Sequence, residues 1–276
     1  MTALLLAVAG CGGGSSSKTV HVLYAGSLVN LMEKQIGPAF SAASGDHYQG
    51  YGAASQAIAN AIKSKVKRGD VFIAASTTVD DTLKGDANGD WVRWYATFGT
   101  APLVLAYSPS SHYADDLRTK RWVDVLRAPG IRIGVTDPVL DPKGKLTAAA
   151  LAAAQHAYGL PADFAATIEK KASVFPEEDL LGRLQSGQLD VGFFYTSEAV
   201  PAHLHTVSLG RVHEAATYTV TVLEDAPDET AGAAFVRYLL TAARPTLAAG
   251  GVHVQTPKVY GERSAVPLSL RSLLTE

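Results

Sequence analysis

Short apolar stretches alternate with amphipathic ones along this chain, and most of the short stretches run into a turn of small or hydroxylated residues. Residues 19–24 are rich in β-branched and aromatic residues, as strands are, and Ala25-Gly26-Ser27-Leu28 breaks them. Leu28, Leu31, Met32, Ile36 and Phe40 then recur at helical spacing. The pattern repeats. Ile58, Ile62 and Val66, four apart, predict a helix over 53–66, and 70–75 predicts a short buried strand before Ser76-Thr77-Thr78. Further strands are expected at 101–107, 131–135, 190–195 and 218–223. Helices are expected at 146–158, from 180 to 184, and at 230–243. Such alternation predicts an α/β fold on a parallel sheet.

In sheets of that kind, ligands sit outside the carboxyl ends of the strands. That rule selects the turns at Gly26-Ser27, Ser76-Thr77, residues 136–144 and Tyr195-Thr196-Ser197. They are spread over the whole chain, which suits a cleft between two lobes. A chain of 276 residues is long enough for two lobes of about 100–150 residues each. The expected division is 18–100 plus 215–276 for lobe one and 101–214 for lobe two. With 24 basic and 26 acidic residues, the net charge of −2 offers no bulk attraction to nucleic acid. The composition, 47% hydrophobic and 18% charged, is that of a chain that folds.

Each candidate turn carries a chemical and a plain reading. Ser27 stands where a helix begins, and the unpaired N–H groups there bind oxyanions. It is equally an N-cap. Gly50-Tyr51-Gly52-Ala53-Ala54-Ser55 allows close backbone approach before a helix. Ser55 stands where a dinucleotide fingerprint needs its third glycine, so nucleotide binding is discounted. Residues 86–90 half-match a calcium loop, but Thr97 occupies the position of the bidentate glutamate, and a surface turn is expected. His203 and His205, two apart, make a poor zinc signal. No G-x-S-x-G elbow exists. A hydrolase reading would need Ser27 or Ser197 paired with a histidine. Lys143 is read as solvated, and Glu177 and Glu178 as acids at a helix N-terminus.

Cys11 is the single cysteine, so no intramolecular disulfide forms. It lies between the apolar run 4–9 and the tract Gly12-Gly13-Gly14-Ser15-Ser16-Ser17. The arrangement looks like a bacterial lipoprotein signal, with Cys11 lipidated and residues 1–17 a signal remnant and flexible tether. The apolar run is too short to span a bilayer and lacks a basic start. The expected location is extracytoplasmic, anchored to the cell membrane.

Five stretches together resemble the extracytoplasmic molybdate/tungstate-binding proteins of ABC importers. They are Tyr24-Ala25-Gly26-Ser27-Leu28, Gly50-Tyr51-Gly52-Ala53-Ala54-Ser55, Gly69-Asp70-Val71-Phe72 running on to Ala75-Ser76, Asp137-Pro138-Val139-Leu140-Asp141-Pro142-Lys143-Gly144, and Ser186-Gly187-Gln188-Leu189-Asp190 running into Phe193-Phe194-Tyr195-Thr196-Ser197. The resemblance implies a two-lobed type II periplasmic-binding-protein fold with the ligand cleft between the lobes. It implies a monomer that binds molybdate or tungstate, uses no cofactor, catalyses nothing and hands its ligand to a permease. Ser27 and Ser55 would donate to the oxyanion, with backbone N–H groups at Ser76 and near Asp141, and the Tyr195 hydroxyl. Asp141 would be a candidate direct ligand of Mo or W. Where some relatives carry a second carboxylate this chain has Phe194, leaving Glu178 or Glu177 as substitutes. The alternatives are a receptor for sulfate, phosphate, a ferric complex or a small organic acid, a secreted lipoprotein enzyme, or a surface adhesion module.

Overall fold

The computed structural model describes residues 17–274. The lipidation expected at Cys11 lies outside the described residues. Ten strands form one connected sheet: β1 (Thr19–Ala25), β2 (His47–Ala53), β3 (Val71–Ala74), β4 (Trp94–Tyr107), β5 (Ile133–Thr136), β6 (Ser173–Phe175), β7 (Val191–Tyr195), β8 (His205–Ser208), β9 (Ala215–Val222) and β10 (His253–Gly261). The order is β2-β1-β3-β9-β4-β7-β5-β6, with β8 and β10 also pairing with β4.

The sheet is mixed, not parallel. The strands β1, β2 and β3 run parallel, as do β5, β6 and β7. β4 and β9 run antiparallel to each other and to the parallel strands beside them, β9 against β3 and β4 against β7. The reason is topological. β4 carries the chain out of the first half-sheet and β9 brings it back alongside, so the pair must oppose. β4 is 14 residues long and changes partner midway. Its first part pairs with β9 as far as Pro102, and from Leu103 onward it pairs with β7. The strand expected at 101–107 is only its second half, and Gly99 and Pro102 lie within β4. Both fall at irregular places, where such residues are tolerated: a register shift by Gly99 and the change of partner at Pro102.

Successive residues enter different cores, as strands buried on both faces require. Val22, Val71 and Trp94 join the main cluster, while Leu23, Phe72 and Tyr95 join a second one with Ile58 and Ile62. The helix holding those isoleucines, Ser55–Lys63, is shorter than the periodicity predicted. The chain leaves it through left-handed Lys65, and Val66 is 75% exposed. The glycine-rich stretch before this helix is strand β2, whose alternating exposure marks a sheet edge. Residues 28–40 are helical but contain a π-turn at Met32–Ile36, where Gly37 N–H reaches back to Met32 O. Pro38, which has no N–H to donate, follows directly. Among the described residues, no helix is long and apolar enough to cross a membrane.

Candidate functional site

The turns chosen from the sequence lie at strand ends and are mostly buried. Ser27 follows β1 in the turn Gly26–Leu28 and is 1% exposed. Its Oγ accepts the Tyr218 hydroxyl at 2.9 Å. Ser55 opens the Ser55–Lys63 helix, and its Oγ accepts Ala75 N–H at 3.2 Å. One residue on, Gln56 N–H donates to Leu140 O at 3.2 Å, which brings this helix start against the Asp141 turn. Asp141 caps the Pro142–Tyr158 helix, with Oδ1 accepting Lys143 N–H at 2.9 Å. Its Oδ2 is buried without a partner. That helix start lies close against the end of β5: a Cβ on Gly144 would sit 2.5 Å from Thr136 O.

Tyr195 ends β7. Its backbone N–H donates to Glu198 Oε2 at 2.9 Å, and its hydroxyl is buried without a partner. Burial, and then the nearby Asp141 charge, hold that phenol well above its ordinary pKa, so it remains a donor. Ser76 stands apart from this group. It is half-buried and caps the Thr77–Asp81 helix, accepting Thr78 N–H. Ser76 and Asp141 share a cleft of about 480 Å³, walled by residues of the 75–79 turn and the 138–146 segment. Ser27, Ser55 and Tyr195 do not line it. Asp141 joins the open cleft to the buried group.

Two sequence readings are corrected. Lys143 is fully buried, not solvated. Its Nζ lies 2.7 Å from Glu198 Oε1 and 3.4 Å from Glu177 Oε1. Burial alone would lower the ammonium's pKa, but Glu198, Glu177 and Asp141 outweigh it and hold it raised. A buried charge persists only when paired in this way. Glu178, the carboxylate proposed as a metal ligand, points to solvent, and Glu177 faces inward. Both begin the Glu177–Gln185 helix, where neighbouring side chains point about 100° apart, so one of them must face out. Glu177 Oε2 has no partner, and a Cβ on Gly26 would lie 2.6 Å from it. Burial and the Asp141 charge push the Glu177 carboxyl well above the carboxylate range, against the pull of Lys143.

Several participants carried no usable signal. Glu198 and Tyr218 meet the site only through the fold, as does the unpaired buried hydroxyl of Thr147, whereas Ser197 and Thr136 lie in turns that the sequence selected. Thr147 alone was legible in principle, being one helical turn beyond Lys143. Among the described residues, no three His, Cys, Asp or Glu side chains gather into a metal cage. The carboxylates converge on an ammonium instead.

The unpaired Tyr195, Asp141 and Glu177 groups are near enough to act on one another's charge, and Glu177 lies against Gly26 of the other half-sheet, an arrangement suited to enclosing a small polar ligand. Solved structures share the architecture. The periplasmic molybdate-binding protein of Azotobacter vinelandii superposes with a TM-score of 0.66 at 17% identity, over 86% of this chain and 99% of that one. The sulfate-binding protein SubI of Mycobacterium tuberculosis gives 0.68 at 15%, over 92% and 89%. The fold is therefore the type II periplasmic-binding-protein fold. In sequence, a Haloferax volcanii protein provisionally named an ABC-transporter molybdenum-binding protein is 32% identical, over 71% of this chain and 61% of its own length. The molybdate/tungstate-binding protein WtpA of Pyrococcus abyssi is 23% identical, over 87% of each. Residues 20–253 match the family described as bacterial extracellular solute-binding protein, and with that span of agreement the chain belongs to it.

Proposed function

We propose that this protein is the extracytoplasmic receptor of an ABC importer and captures molybdate or tungstate. The observation that carries the reading is the buried group of unpaired polar atoms between the half-sheets: Tyr195 hydroxyl, Asp141 Oδ2 and Glu177 Oε2, beside Ser27 and Ser55. Buried polar groups without partners cost free energy, and a ligand supplying those partners recovers it. The names of the Haloferax and Pyrococcus relatives support the choice of anion. Lobe one would comprise 18–100 plus 215–276 and lobe two 101–214, in line with the change of partner at Pro102. Cys11 would anchor the chain to the membrane beside its permease, and the receptor would act as a monomer.

Ser27, Ser55 and Tyr195 would donate to the anion, and Ser76 would line the outer wall of the cleft. Asp141 is the candidate carboxylate for the Mo or W centre. Glu177 takes the place that Glu178 was expected to fill. Burial and the Asp141 charge favour the neutral carboxyl of Glu177, which would donate rather than repel, while the Lys143 ammonium favours the charged one. The hydrolase alternative requires a base on a serine, whereas Ser27 and Ser197 both bond to the Tyr218 phenol.

The test is a thermal-shift panel of molybdate, tungstate, sulfate, phosphate and small organic acids. A bound ligand at one hundred times its Kd stabilises by about 2.7 kcal/mol. Molybdate and tungstate should shift the melt at micromolar concentrations, and Ser27→Ala and Ser55→Ala should each weaken binding roughly tenfold. A response to sulfate or an organic acid alone would redirect the ligand assignment, and wild-type affinity in both variants would reject the site.

A further inference from the structure

The Tyr218 hydroxyl lies between two serines from opposite sides of the molecule. Ser197 belongs to the Thr196–Ala199 helix after β7, in the second half-sheet; Ser27 belongs to the turn after β1, in the first. Tyr218 is on β9, the returning strand, fully buried and stacked on Phe98 with ring centroids 6.0 Å apart. Its oxygen lies 2.6 Å from Ser197 Oγ and 2.9 Å from Ser27 Oγ.

Each hydroxyl has one proton to give. The Tyr218 proton goes to Ser27, so Ser197 must donate to Tyr218. The chain of donation therefore runs Ser197 to Tyr218 to Ser27, and it leaves the Ser27 proton uncommitted. Run the other way, the Ser27 proton would be spent on Tyr218, and Ser27 could only accept. Burial holds the phenol above its ordinary pKa, although its bonds with the two serines draw it back, so it keeps a proton to give. Successive hydroxyls also polarise one another, which makes the terminal proton a stronger donor.

We infer that Tyr218 is a positioning residue, which orients Ser27 as a hydrogen-bond donor toward the bound oxyanion and ties that orientation to the approach of Ser197. The inference rests on the oxyanion reading above. It gives anion affinity a second determinant that never touches the anion. A receptor whose Ser197 has moved away loses the donor that sets the direction, so donation by Ser27 becomes strongest when the two sides meet.

The test is a pair of mutant cycles on the full chain, with tungstate affinity measured by calorimetry. Tyr218→Phe should weaken binding about five- to tenfold in the wild-type background, the effect of one lost bond. It should cost less than twofold in a Ser27→Ala background, because its effect passes through Ser27. Ser197→Ala should weaken binding severalfold alone and add nothing to Tyr218→Phe. That second cycle retains Ser27, so it stands if Ser27→Ala binds too weakly to measure. Equal losses in both backgrounds would mean that Tyr218 only packs, and would overturn the inference while leaving the oxyanion reading intact. A wild-type protein that bound no tungstate or molybdate would remove both.

Discussion

At the scale of single residues, the fold tolerates groups that a stability-driven core would not hold. Asp80 is the clearest case outside the site. It is fully buried in the Thr77–Asp81 helix, and neither carboxylate oxygen has a partner. Burial pushes its pKa from 3.8 up to about 8, although the Thr219 hydroxyl, near it but not hydrogen-bonded to it, draws it back. Between those two values the unfolded chain has lost this proton while the folded one retains it. The folded state then binds more protons, so stability must fall as pH rises through that window. Asp80→Asn keeps the shape, adds a neutral donor and removes the slope. Its Tm should match wild type near pH 4 and exceed it at pH 8 by roughly 2–10 °C, from about 1–3 kcal/mol. A Tm difference that stayed constant from pH 4 to pH 8 would show that Asp80 is already ionised in the fold.

At the scale of elements, the contact between the turn after β1 and the Glu177–Gln185 helix joins the two half-sheets at the site. Gly26 makes it feasible, because any side chain there would meet Glu177 Oε2. Gly26→Ala should push that helix outward. Tungstate affinity should drop about tenfold or more, while the chemical denaturation midpoint moves little, since the strain arises only where the two elements meet. A loss of stability without a loss of affinity would place the strain within the first half-sheet instead. The sequence showed the elements of this contact but not the contact itself. Strand, turn and helix were legible at Gly26-Ser27 and Asp141 because apolar period and turn chemistry are local. The inward turn of Glu177 and the burial of Lys143 were not, because each depends on a partner in a different helix. The same limit applies to β9. Tyr218 read as an ordinary strand residue, and only the antiparallel return of the chain brings its hydroxyl between Ser197 and Ser27.

At the scale of the whole molecule, β4 is shared by the two half-sheets, and polar bonds among the described residues also join them across the cleft. Gln56 N–H to Leu140 O, the Thr196 hydroxyl to Gly251 O at 2.6 Å, and the Ser197–Tyr218–Ser27 series all cross between them. At about 1 kcal/mol net for each neutral bond, such a set is readily broken and remade. β4 passes between the halves at Pro102, where its pairing changes hands, so a small backbone rotation there would open the cleft without breaking either half-sheet. The buried, unpaired groups at Tyr195, Asp141 and Glu177 favour opening when nothing is bound, because opening lets water reach them. A ligand that occupies them favours the closed form only by its differential affinity for it. Small-angle scattering should therefore give a larger radius of gyration for the anion-free protein than for the protein saturated with tungstate. Ser27→Ala should reach the same compact limit at a proportionately higher tungstate concentration, since it weakens the closed complex without altering the hinge. Identical scattering with and without tungstate, in a protein that binds it, would mean that the anion enters and leaves without any motion of the lobes.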